Sequence, residues 1–102
     1  MYAMVWQFDV LPGRETEFEQ IYGPDGDWAK FFQQFDGFEG TELLRDMHHH
    51  GRYLTIDRWQ SHDAWEVVQQ KSPDRYRELD LRCDALTRHE TRIGVFDQAT
   101  KE

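Results

Sequence analysis

The residues best equipped for chemistry fall in one stretch, Tyr53–Val68, which reads YLTIDRWQSHDAWEVV. If Asp57 is drawn out of water, its carboxyl pKa rises toward neutrality and it becomes a candidate base. His62, with an ordinary imidazole pKa of about 6.5, can exchange a proton near neutral pH. Trp59 and Trp65 offer indole faces on which a flat aromatic molecule can stack, and Tyr53 alternates in step with Asp57 and Trp59. Arg45 can hold a phenolate or carboxylate in its planar guanidinium, as can Arg58 or Arg92. Each has a structural reading as well. The tryptophans pack a core, His62 is solvated in a first helical turn, Asp57 pairs with Arg45 or Arg92, and the arginines bridge subunits.

Three other clusters carry less. In His48-His49-His50, strand alternation would send two rings one way and one the other, with no third ligand on either face, so a hairpin end is expected and no metal site. Asp25-Gly26-Asp27 resembles the start of a calcium loop but lacks the closing glutamate, and turn chemistry explains it. Cys83 sits at a core spacing without nucleophile neighbours. His89 stands just before a strand, where it could also move protons.

These side chains need elements to place them. Tyr2, Met4, Trp6, Phe8 and Val10 alternate as a first strand. Phe18, Ile21 and Tyr22 mark a short helix, and Trp28, Phe31, Phe32 and Phe35 a second one that Asp27 can cap and Asp36-Gly37 ends. Phe38–His48 reads as an edge strand turning at His48–Gly51, and Arg52–Trp59 returns as the next strand. Ser61 caps a helix over 62–70, Ser72-Pro73 starts another carrying Tyr76, Leu79, Cys83 and Leu86, and Glu90–Phe96 closes the chain as a strand.

The order is therefore β-α-β-β-α-β with each helical position split in two. It specifies an α+β, ferredoxin-like antiparallel four-stranded sheet with its helices on one face. Neither alternating set of the strands is polar enough to face water, so a second copy should cover the other face in a sheet-to-sheet homodimer. Which set the helices cover decides whether Asp57 faces a pocket.

At 102 residues the chain is expected to be one domain over 1–97 with a loose polar tail over 98–102. Twelve basic against twenty acidic residues give a net charge of −8, which opposes nucleic acid and anionic membrane surfaces as partners. One cysteine and no long apolar run point to a reducing, aqueous location, and the strand-like start is unlike a signal peptide, so a cytoplasmic protein is expected.

VLPGRETEFEQIYGPDGDW, GFEGTELLRD, RYLTIDRWQSHDAW and ETRIGVF resemble, in order and spacing, the antibiotic biosynthesis monooxygenase-like (ABM) domains of the dimeric α/β-barrel superfamily. Trp59 matches that family's tryptophan at the end of the third strand. The resemblance implies a cofactor-free monooxygenase that binds an electron-rich aromatic quinol, phenol or anthrone and removes a proton, after which the anion reacts with oxygen. The haem-degrading branch uses Asn, His and Trp, and this sequence contains no asparagine. On the same scaffold a non-catalytic binder of a small ligand, an accessory subunit, or a lyase or isomerase stays open.

Overall fold

The structure, a computed structural model, describes residues 1–100. Four strands, β1 (Tyr2–Val10), β2 (Phe38–Arg45), β3 (Arg52–Trp59) and β4 (Thr87–Phe96), form one antiparallel sheet in the order β2-β3-β1-β4. Helices α1 (Glu15–Tyr22) and α2 (Asp27–Phe32) fill the first connection, and α3 (His62–Lys71) and α4 (Pro73–Cys83) the second. This is the expected ferredoxin-like arrangement, with β2 at an edge. In the expected tail, residues 98–100 carry no helix or strand and 101–102 lie outside the described residues.

The helices cover the face that carries Trp6, Phe8, Tyr53, Thr55 and Trp59. Phe18, Trp59 and Val68 are fully buried beneath them. Ring-to-ring packing dominates this layer: Phe18 stacks on Tyr22 with centroids 4.2 Å apart, and Trp59 meets Phe32, Phe38 and Trp65 at 5.3, 5.0 and 5.7 Å. A few large rings thus fill a core that the modest apolar content could not fill with aliphatic chains.

Local chemistry sets the element ends. Ser61 Oγ accepts the Ala64 backbone N–H, which satisfies one of the free amides at the start of α3. Asp27 does not act as a cap; it is the first residue of α2, and Gly26 takes the N-cap position without a side-chain bond. The expected strand to His48 stops at Arg45. Asp46 Oδ1 accepts the backbone N–H groups of His48 and His49, an Asx turn that competes with the sheet ladder, and Gly51 at φ +83° completes the reversal. β4 begins three residues earlier than its apolar pattern suggests, because a 3-10 turn at Asp84–Leu86 delivers the chain straight onto β1. No helix is long and apolar enough to cross a membrane among the described residues.

Candidate functional site

A cavity of about 110 Å³ opens between the sheet and the helices. Its floor is strand residues in register. Trp6 on β1 lies opposite Thr55 on β3, and Met4 lies opposite Asp57, which in turn faces Thr41 on β2. Tyr22, Trp28 and Phe32 from the first helical pair form one wall, and Trp65 on α3 with Tyr76 on α4 form another. Asp80 on α4 and Glu90 on β4 complete the lining.

Asp57 therefore points at the helices and into the cavity. Its Oδ1 accepts a hydrogen bond of 2.7 Å from the buried Thr41 hydroxyl. Arg45 and Arg92 do not pair with it; Arg45 reaches Glu19 instead, at 2.9 Å. Burial pushes the Asp57 pKa up to about 6, while the Thr41 bond, which favours the charged form, pulls the other way. A carboxyl poised there can take a proton and return it at neutral pH. Burial, followed by the charges of Asp80, Asp57 and Glu90, pushes the Tyr76 phenol up to about 12, so it stays protonated as a hydrogen-bond donor. Burial also raises Asp80 and Glu90, and Asp84 adds to both.

The other sequence candidates are dispersed. Trp65 lines the cavity, but Trp59 lies fully buried behind it, its indole nitrogen without a partner among the described residues. Tyr53 is buried away from the cavity, and its hydroxyl donates to Glu19 Oε2 at 2.6 Å. Glu19 thereby joins Tyr53 to Arg45, and these bonds lower its own pKa. His62 is half exposed, edge-on to Tyr2 and 3.3 Å from Glu66. It lines a separate open depression together with Ser61 and Phe96. His89 is exposed, His50 pairs with Glu15 at 2.9 Å, and Arg58 pairs with Glu42. Cys83 is buried, and burial raises its thiol pKa.

Sequence reasoning missed Thr41, Tyr76, Asp80 and Glu90 as lining. Thr41 was within reach, since it is in step with Leu43, which packs against the core, whereas no position of β4 is buried and Glu90 carried no such signal. Tyr76 and Asp80, one turn apart on α4, follow only from how that helix is seated.

The sequence profile of the antibiotic biosynthesis monooxygenase family matches residues 1–73. Among solved structures, the chain is similar to SnoaB, a cofactor-independent oxygenase from Streptomyces nogalater. Identity is 25%, covering 98% of this chain and 94% of that one, with a TM-score of 0.78. It also shares its fold with an antibiotic biosynthesis monooxygenase (14% identity, 98% and 100% covered, TM-score 0.69). PA3566 from Pseudomonas aeruginosa has the fold as well (14%, 97% and 94%, TM-score 0.69). No curated protein matches the sequence.

Proposed function

This chain belongs to the antibiotic biosynthesis monooxygenase family, and we propose that it is a cofactor-independent monooxygenase acting on an aromatic quinol, phenol or anthrone in the cavity beneath α3 and α4. The observation that carries this reading is Asp57, a carboxyl with its pKa pushed up to about 6 on the floor of a cavity walled by aromatic rings. The likeness to a cofactor-independent oxygenase over nearly the whole chain supports it.

In this scheme the substrate lies flat against Trp65 and the neighbouring rings, and Asp57 takes a proton from its activated carbon. For an anthrone, the CH₂ group becomes a carbanion delocalised onto the ring oxygen. The anion passes electrons to O₂ and forms a C–O bond, and Asp57 returns the proton to give a hydroperoxide. Loss of water then leaves the quinone carbonyl, so one O₂ is consumed and one oxygen atom kept per substrate. Tyr76 can donate a hydrogen bond to the ring oxygen as its charge grows. Trp59 acts through packing that fixes Trp65. Within this proposal His62, Tyr53 and Arg45 lie outside the reacting volume.

At about 110 Å³ the cavity is smaller than the ~150 Å³ that holds a benzene-sized molecule. Any aromatic ligand, and a fused-ring substrate most of all, therefore requires α3 and α4 to move outward. With no cation on the lining among the described residues, a second reading stays in view in which the chain binds a small ligand without turning it over. Incubation of quinols and anthrones with and without air separates the two. The oxygenase gives products, one O₂ per substrate, only in air, whereas the binding protein gives identical, uncatalysed rates in both.

We also propose that two copies pair through the uncovered sheet face. There Val5, Leu54 and Ile56 are half-buried and Leu44 is 44% exposed, an apolar strip that a partner sheet would cover. A reducing, aqueous compartment such as the cytoplasm fits the single buried thiol of Cys83.

A further inference from the structure

Among the described residues, three carboxylates and no basic side chain border the cavity. Asp57 lies on its floor, Asp80 on the α4 wall and Glu90 on the β4 wall. Carboxylate oxygens of Asp80, Asp84 and Glu90 come within 4.8 Å of one another. Arg82, on the same helix as Asp80, is bonded to Asp27 at 3.1 Å. The Tyr76 hydroxyl feels the charges of Asp80, Asp57 and Glu90 together, so the three acids act on one volume.

An independent feature points to a ligand in that volume. Trp28 is only 8% exposed and lines the cavity, yet its buried indole N–H has no hydrogen-bond partner among the described residues. Buried polar groups nearly always have a partner. Most of the remaining lining is aromatic, with the indoles of Trp6, Trp28 and Trp65 among it, and indole rings attract cations as well as other rings.

Resting on the cavity as the substrate site, we infer that it selects an aromatic ligand bearing an ammonium group. The ring lies among the indoles, the ammonium between Asp80 and Glu90, and a hydroxyl or carbonyl substituent against Thr55 and Asp57. An anionic ligand of the same shape meets three like charges in a partly desolvated space and is rejected. The charge also suits the proposed chemistry. When Asp57 takes a proton it becomes neutral and the substrate becomes an anion, and a substrate ammonium supplies the countercharge that the lining lacks. A divalent cation fits less well. Calcium takes six to eight oxygen ligands, more than the carboxylates of Asp80, Asp84 and Glu90 readily supply, and most of the remaining lining is aromatic.

The test is a titration of the full chain with benzylammonium, benzyl alcohol and benzoate, followed by tryptophan fluorescence at neutral pH and low salt. Benzylammonium should bind tightest and benzoate weakest, ~10-fold or more apart. In the double variant Asp80→Asn/Glu90→Gln that gap should close, with benzyl alcohol affinity unchanged and the circular dichroism of the fold intact. Benzyl alcohol binding as well as benzylammonium overturns the charge assignment while leaving the cavity as the site. Failure of all three probes to bind overturns both. Calcium chloride that binds, displaces benzylammonium and loses its affinity in the double variant shows a metal site instead and also overturns the inference.

Discussion

Asp57 carries a cost that a core residue would not. A carboxyl at that position ionises with a pKa of about 6, against about 3.9 in an unfolded chain. The folded state holds the proton more tightly, so the stability linked to Asp57 is fully present below pH ~4 and is lost as pH rises through ~6. Asp57→Asn should therefore be more stable than the wild type by on the order of 2 kcal/mol at pH 7, with the difference vanishing near pH 4 in urea unfolding. A pH-independent difference would show that Asp57 is not buried as described. Thr41→Val removes the bond that favours the charged form and should raise the Asp57 pKa further, read from its side-chain carboxyl resonance in an NMR titration, while Thr41→Ser keeps it. The sequence placed Asp57, Thr55 and Trp59 on one face by alternation alone. It could not say which face, since both sets of β1 and β3 are apolar enough to be buried. Nor could it separate Trp59 from Trp65, because an indole packed in the core and one at a cavity wall have the same spacing.

At the scale of elements, the split helices and the strand order were legible because their signals are local. Ser61 and Pro73 begin helices and rings recur at three and four residues, whereas α2 ends at Phe32, short of the stop expected at Asp36-Gly37. Ser61→Ala should cost about 1 kcal/mol through the lost Ala64 bond, measurable as a lower midpoint of thermal unfolding. Gly37 joins α2 to β2 at φ +92°, and a Cβ there would lie 2.7 Å from Ala64 Cβ on α3. Gly37→Ala should cost about 2 kcal/mol or more and loosen the α3 seat. An unchanged melting temperature would contradict that packing. The Asx turn at Asp46 was not visible, because an aspartate beside a polar run reads equally as strand edge or turn. The seat of α4, which carries Tyr76, Asp80 and Cys83, depends on contacts such as those of Tyr76 with Trp28 on α2 and Trp65 on α3, so Asp80 and Glu90 were not foreseen as neighbours.

At the scale of the whole molecule, the helices close one face of the sheet and leave the apolar strip of the other to be covered. A stable interface buries about 800 Å² on each partner, which a sheet face of this size can supply. Light scattering should give twice the 12.3 kDa chain mass, and Ile56→Asp, which puts a charge into the strip, should give a folded monomer. A monomeric wild type would contradict the dimer. The family and fold were legible at this scale from the order of elements and the matching stretches, while substrate choice was not, since in our proposal it depends on charge gathered at one cavity by three separate segments, β3, α4 and β4. The most direct test of the whole account is the pH dependence of oxygen uptake by the purified chain with an anthrone. With Asp57 as the base, the rate should rise tenfold per pH unit below ~6, level off above it, and fall by ~100-fold or more in Asp57→Asn. Uptake that ignores pH across this range, or that survives in Asp57→Asn, would contradict it.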